Sequence, residues 1–187
     1  MRIISGYFRG RKILEPIDIK TRPLKDLTKE SIFNLINHSN KFDINIKNSI
    51  VLDLFSGVGS FGIECLSRGA KGVVFVENYT NALNVLKKNL KNLKIFENYK
   101  ILEFDIYNNI KILKNSKQFD IIFLDPPYKD KNLYKLFLEI LSNNLLKKNG
   151  IVILHRHKNE EDDLPSHFKI LVEKKYGISR IKFYSLD

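Results

Sequence analysis

The 187-residue sequence holds a single cysteine, Cys65, which excludes an internal disulfide framework and a thiolate metal cluster. Cys65 sits in the stretch FGIECL, where a small buried side chain is the plain interpretation. No apolar run approaches the roughly 20 residues that a membrane-spanning helix needs. The opening MRIISGYFRGRK lacks the apolar stretch and small-residue cleavage site of a secretory signal. There is no internal repeat and no low-complexity linker. Together these absences lead us to expect a soluble, cytoplasmic protein without a membrane partner. Acidic residues are scarce as well: 21 Asp and Glu face 32 Lys and Arg, for a formal net charge of +11. A polyanion is the natural partner of such a field. The excess lies mostly in lysine, however, in a chain crowded with Lys, Asn and Ile. That kind of compositional bias spreads charge without building a binding face, so charge alone does not decide the partner.

What is present is ordered along the chain. Apolar residues make up 43% of the sequence, enough for one domain with a substantial core. Residues 1–22 hold two short strand-like runs, RIIS and RKIL, around GYFRG, which predicts a hairpin with Gly6 and Gly10 as turn residues. In LKDLTKESIFNLINHS the apolar residues Leu24, Leu27, Ile32, Leu35 and Ile36 recur at helical spacing. From residue 50 strand-like and helix-like segments alternate. IVLDLF, GVVFVE, YKILEF, FDIIFLD and GIVILHRH read as strands. SFGIECLSR, YTNALNVLKKNLKNLK, YNNIKILKN and LYKLFLEILSNNLL read as the helices between them. The alternation predicts an α/β, Rossmann-like fold, a parallel sheet with helices on both faces. Two more strand-like runs, FKILVEKKY and ISRIKFYSL, flank Gly177 with no helix between them, which permits an antiparallel pair. We expect a single domain over 1–187, with 1–40 a substrate-side hairpin and helix and 41–187 the catalytic core. Lys87, Lys88, Lys91 and Lys94 on the third predicted helix read as a solvated face before they read as an RNA contact.

The loop DLFSGVGSFG places Gly57, Gly59 and Gly62 after a strand and before a helix, in the pattern G-x-G-x-x-G. Glycines there let the backbone turn sharply and approach a ligand. Glu77 ends the next strand, where a carboxylate can take both hydroxyls of a ribose. A dinucleotide and S-adenosylmethionine fit these features equally well. Asp53, four residues before Gly57, favours the second: a carboxylate there would repel a pyrophosphate but suits a cationic sulfonium and its ammonium tail. Asp105 follows the third strand. It can accept from an adenine amino group, cap the following helix, or do both.

The fourth strand runs into Asp125-Pro126-Pro127-Tyr128. Strand C-termini are where open α/β sheets bind ligands. Two prolines fix the backbone and remove two N–H donors, leaving rigid carbonyls. The exocyclic amino group of a base is a poor nucleophile carrying two protons. Asp125 and the Pro126 carbonyl can accept one each, which aims the nitrogen lone pair at a methyl donor and stabilises developing positive charge. Tyr128 can stack on the base. The chemistry needs neither a covalent intermediate nor a metal, but the base has to leave its stack.

DLFSGVGSFGIECLSRGA and DPPY, with RIISGYFRGRKI and TRPLKDLTKESIFNLI, resemble the bacterial 16S rRNA guanine-N2 methyltransferases of the RsmD type over nearly the whole chain. The resemblance implies a class I methyltransferase fold, a seven-stranded mixed sheet with its last strand inserted antiparallel. It implies methylation of a guanine in small-subunit rRNA from S-adenosylmethionine, with S-adenosylhomocysteine as product and no metal. It places Asp53, Phe55, Ser56, Gly57, Gly59, Glu77, Asn78, Asp105 and Asp125 at the cofactor, and Asp125 to Tyr128 at the reacting base. Arg2, Arg9, Arg11, Lys12, Lys20, Arg22, Lys25 and Lys29, beside Tyr7 and Phe8, form a basic N-terminal cluster that we expect to grip the RNA backbone of 16S rRNA or the small subunit. Two departures stand out. Lys29 replaces an expected arginine, which turns a bidentate contact into a point charge. His155-Arg156-His157 ends the fifth strand where the resemblance implies an acidic residue. His155 and His157 share a strand face, but two histidines make no metal site, so both are expected at the surface or a pocket rim. A DNA or RNA adenine-N6 methyltransferase shares the turn but normally adds a target-recognition domain. A nicotinamide oxidoreductase shares the glycine loop but not Asp53 or the prolyl turn. A non-catalytic RNA-binding module would have no need of an intact DPPY. A monomer is expected.

Overall fold

A computed structural model describes residues 1–16, 24–114 and 116–187. Its strands are β1 (Ile50–Leu54), β2 (Gly72–Glu77), β3 (Tyr99–Glu103), β4 (Phe119–Leu124), β5 (Leu146–His157), β6 (Phe168–Tyr176) and β7 (Ser179–Leu186). They form one seven-stranded sheet in the order β3-β2-β1-β4-β5-β7-β6. β1 to β5 pair in parallel, and β7 is antiparallel to both β5 and β6. The mixed sheet with an inserted antiparallel strand is the one expected. Its helices are α1 (Asp26–His38), α2 (Ser60–Ser67), α3 (Thr80–Asn92), α4 (Ile106–Asn109) and α5 (Leu133–Ser142). The segment expected as one helix after β3 is α4 followed by a single 3₁₀ turn, Ile110–Leu113. No described helix is long and apolar enough to cross a membrane.

The central strands are apolar on both faces because helices cover both. Along β1, Val51 joins one core with α1, α2 and α3, while Leu52 and Leu54 join the other with α4 and α5. Phe33 of α1, Phe61 of α2 and Phe123 of β4 stack in series, with ring centroids 5.2 and 4.0 Å apart. Gly62 is required by this packing: a Cβ there would meet the Phe75 ring at 2.3 Å.

The N-terminal hairpin forms only in part. A single antiparallel bridge joins Arg2 to Lys12, and Gly6 and Gly10 adopt the positive φ expected of turn residues. Regular strands do not propagate toward the turn because the donors of Ile4, Ser5, Tyr7 and Phe8 go elsewhere. Ile4 and Ser5 donate their N–H groups to the buried Glu64 carboxylate, at 2.8 and 3.0 Å. Tyr7 and Phe8 donate to Ser67 on the same helix. The base of the hairpin closes on itself, with Ile3 donating to Arg11, Gly10 to Ile3 and Ile13 to Met1, while residues 4–8 pair with α2. Ile3 and Ile13 enter the core that contains Val51 and Phe123.

Sheet register then sets the site. Leu54 of β1 pairs with Val76 of β2 and Leu124 of β4, and Leu124 pairs with Leu154 of β5. The next residue of each strand stands at one level: Phe55, Glu77, Asp125 and His155. The chain reverses its lateral direction between β1 and β4, and ligands of open α/β sheets bind at that reversal.

Candidate active site

The loop after β1 is held by backbone geometry that few residues tolerate. Phe55, Gly57 and Gly59 have φ of 58°, 54° and 84°. For Phe55 the left-handed region costs roughly 1–2 kcal/mol, strain of the kind found where a site has to be preformed. Ser56 donates its N–H to Val76, and Gly59 donates to Ser56. Gly57 donates to Glu77 Oε2 at 2.7 Å, while Glu77 Oε1 accepts from the N–H groups of Asn78 and Tyr79 at 2.9 Å each. Glu77 thus ties the glycine loop to the entrance of α3.

Asp53 is turned inward. It lies on the α2 face of β1, buried, with Oδ2 accepting the Gly62 N–H at 2.9 Å. Burial pushes its carboxyl well above the usual carboxylate range. The Gly62 hydrogen bond opposes this, while Asp125 and Glu77 add to it. Asp53, expected at the cofactor, thus braces the start of α2 behind the glycine loop. Because its folded pKa is raised, the neutral acid stabilises the fold fully below the unfolded value near ~4, and that stability is lost as pH rises toward the folded pKa. Asp53→Asn keeps an acceptor for Gly62 without an ionisable group. Its Tm relative to wild type, followed from pH 4 to 8 without ligand, is expected to rise steadily; parallel curves would refute the assignment.

Asp105 caps α4. Oδ1 accepts the Tyr107 N–H at 3.0 Å and Oδ2 accepts from the Asn108 side chain at 2.7 Å. The Tyr107 hydroxyl donates to Asp130 Oδ2 at 2.7 Å, and burial first, then this carboxylate, push its pKa up. This contact joins the α4 loop to the turn after β4.

That turn, Asp125 to Tyr128, is gripped from β5 by Arg156, to which the sequence assigned no place, and by His155, which was expected at the surface or a pocket rim. Arg156 is buried. It donates from Nη1 to the Pro127 carbonyl at 2.8 Å and from Nη2 to the Asp130 carbonyl at 2.9 Å, and its Nε pairs with buried Asp162 at 3.1 Å. His155, also buried, lies 2.8 Å from Asp125 through Nδ1. The Tyr128 ring meets His157 edge-on at 5.0 Å between centroids. Of the two histidines, only His157 is on the rim.

The basic N-terminal cluster divides. Arg2, Arg9, Arg11, Lys12 and Lys25 are exposed, as is Tyr7. Arg11 donates to the Asn92 carbonyl at the end of α3, 3.1 Å away. Arg22, with Lys20, lies outside the described residues. Lys29 does not belong to an RNA-facing surface. It is fully buried, and its Nζ donates to the Arg2 carbonyl at 2.7 Å and lies 3.8 Å from Glu64. Burial pulls its ammonium below the ordinary lysine value against the attraction of Glu64 and Asp26. Its phase explains this: Lys29 shares the inward face of α1 with Ile32, Phe33 and Ile36.

The family model described as Conserved hypothetical protein 95 matches residues 1–185. The ribosomal RNA small subunit methyltransferase D of Haemophilus influenzae is 36% identical over 186 residues, covering 98% of this chain and 93% of the relative. A solved Escherichia coli chain bearing the name of a methyltransferase superposes with a TM-score of 0.81 at 26% identity, covering 100% and 98% of the two chains. A solved Haemophilus influenzae chain named as a methylase gives 0.74 at 34% identity, with the same coverage.

Proposed function

The chain belongs to the family described as Conserved hypothetical protein 95, and from that membership we propose that it is a class I methyltransferase that uses S-adenosylmethionine to methylate the N2 amino group of a guanine in 16S rRNA. The single observation that carries the chemistry is the alignment of Asp125 and Glu77 at one level of the sheet, with the strained glycine loop between them. The donor set fits the cofactor: Glu77 suits ribose hydroxyls, the loop of Phe55, Ser56, Gly57 and Gly59 suits close backbone approach, and Asn78 and Asp105 flank the adenosine side. Asp53 supports this loop from behind. Bound there, S-adenosylmethionine supplies a methyl group on a positively charged sulfur.

The protein's own groups do the rest. Asp125 accepts one amino proton of the flipped guanine and the Pro126 carbonyl accepts the other, which aims the nitrogen lone pair. Pro127 serves the turn instead, since Arg156 and the Asp130 N–H already occupy its carbonyl. Tyr128 stacks on the base. Arg9, Arg11, Lys12 and Lys25 contact RNA phosphates, and the enzyme acts as a cytoplasmic monomer on the small subunit.

The test is methyl transfer from radiolabelled cofactor to small subunits lacking this modification, with naked 16S rRNA and duplex DNA alongside. N2-methylguanosine in the rRNA is the expected product. Label confined to N6-methyladenine in DNA would keep the fold and overturn the substrate. Glu77→Ala is expected to weaken cofactor binding about 10- to 100-fold by calorimetry, because it loses charge-assisted hydrogen bonds. Unchanged affinity would move the ribose contact elsewhere.

A further inference from the structure

Asp125, His155 and Ser179 form a hydrogen-bonded series. Asp125 Oδ1 lies 2.8 Å from His155 Nδ1, and Ser179 Oγ lies 2.9 Å from His155 Nε2. The residue types are those of a serine-hydrolase triad, but burial runs the opposite way. Ser179 is 5% exposed and His155 2%, whereas the Asp125 side chain keeps 15%. A nucleophilic serine has to meet its substrate. Here the carboxylate stands at the mouth and the serine at the closed end, so the series acts on whatever Asp125 touches.

The direction of the hydrogen bonds follows from the donor inventory. A carboxylate accepts only, so Nδ1 carries the proton shared with Asp125. In the neutral ring Nε2 is then an acceptor, and the Ser179 hydroxyl donates to it. Ser179 opens β7 and His155 lies near the end of β5, so two strands of the sheet fix the ring between them.

We propose that His155 is a positioning residue for Asp125: backed by Ser179, it donates its Nδ1–H to Oδ1 and sets the direction in which the carboxylate meets the amino group of the base. The inference rests on the proposed function. During transfer the base nitrogen gains one bond to the methyl carbon and gives up one proton. The methyl–sulfur bond breaks with its electron pair left on sulfur. Asp125 takes the proton and passes it to solvent, while His155 keeps its Nδ1–H throughout.

The experiment compares wild type with His155→Leu, His155→Asn and Ser179→Ala. His155→Leu is expected to lower kcat about 10- to 100-fold, the worth of a hydrogen bond to a charged group. KM for RNA and cofactor affinity should stay within about twofold. His155→Asn places an amide donor near the position of Nδ1 and should recover most of the loss. Ser179→Ala should cost a few fold in kcat alone. A separate readout needs no substrate: imidazole ¹⁵N shifts of the full-length protein should report the Nδ1–H tautomer, and Asp125→Ala should change it. Equal losses in His155→Leu and His155→Asn, a loss confined to KM, or an Nε2–H tautomer would each overturn the proposal. If His155→Leu does not fold, Ser179→Ala and the tautomer decide. Wild-type protein inactive on every RNA would overturn the function instead, and Nδ1–H in that same sample would still uphold the contact with Asp125.

Discussion

Asp125→Ala is expected to lower kcat for methyl transfer by about 10²–10³-fold or more, with S-adenosylmethionine affinity within a few fold of wild type. The reasoning is differential. Under the proposed function, cofactor affinity would come mainly from the loop after β1 and from Glu77, whose hydrogen bonds run to Gly57, Asn78 and Tyr79. In the proposed mechanism the Asp125 carboxylate would instead meet the amino group, whose positive charge grows only as the methyl bond forms. An interaction stronger in the transition state than in the ground state appears in kcat. Single-turnover transfer and calorimetric cofactor binding, measured on the same preparation, separate the two. Loss of cofactor binding in this variant would move Asp125 from the base to the cofactor. The variant also strips His155 of its acceptor, so a modest fall in Tm accompanies it.

The largest effect on stability is expected at Arg156. Arg156→Ala should cost about 3–5 kcal/mol, because it leaves the buried Asp162 carboxylate without its partner. For a chain of this size that corresponds to a Tm lower by roughly 6–20 °C. The carbonyls of Pro127 and Asp130 lose their donors at the same time, so the catalytic turn loosens. Activity at a permissive temperature should therefore fall as well. Arg156→Lys should rescue little, since one ammonium cannot reproduce a fork that serves two carbonyls and a carboxylate. Arg180 provides the contrast. It is equally buried, but its carboxylate partner Glu161 is exposed and can be hydrated once the pair is broken. Arg180→Ala should leave activity closer to wild type. Equal thermal and catalytic losses in the two alanine variants would show that burial, and not the grip on the turn, dominates.

Sequence periodicity placed β1 to β4 and the helices between them, because each element is local and its apolar spacing belongs to one segment. The glycine loop and the prolyl turn were legible for the same reason. What stayed hidden depends on register between distant segments. His155 and Arg156 lie about 30 residues beyond the turn they hold, and their neighbours follow from the pairing of Leu124 with Leu154. No pattern within HRH announces that pairing. Lys29 is a different case. Its spacing to Ile32, Phe33 and Ile36 marked the inward face of α1, but a positive charge in a basic segment suggested a surface. The buried Glu64 that makes its burial tolerable lies 35 positions away. The N-terminal hairpin and its two turn glycines are found as the sequence implies, but its strands stay short because acceptors on α2, invisible to strand propensity, capture the N–H groups of residues 4, 5 and 8.

The insertion of β7 between β5 and β6 sets an order on folding. β6 is made before β7 yet has no neighbour in the sheet until β7 arrives. A nascent chain that ends within β6 leaves β5 as an open edge of apolar residues, a surface that invites pairing with other chains. It also leaves His155 without Ser179. Completion of the sheet and support of Asp125 thus coincide in one late, long-range event. An incompletely synthesised chain would carry its DPPY turn without the strand whose Ser179 backs His155, and premature termination should yield inactive, aggregation-prone protein in place of a weakly active enzyme.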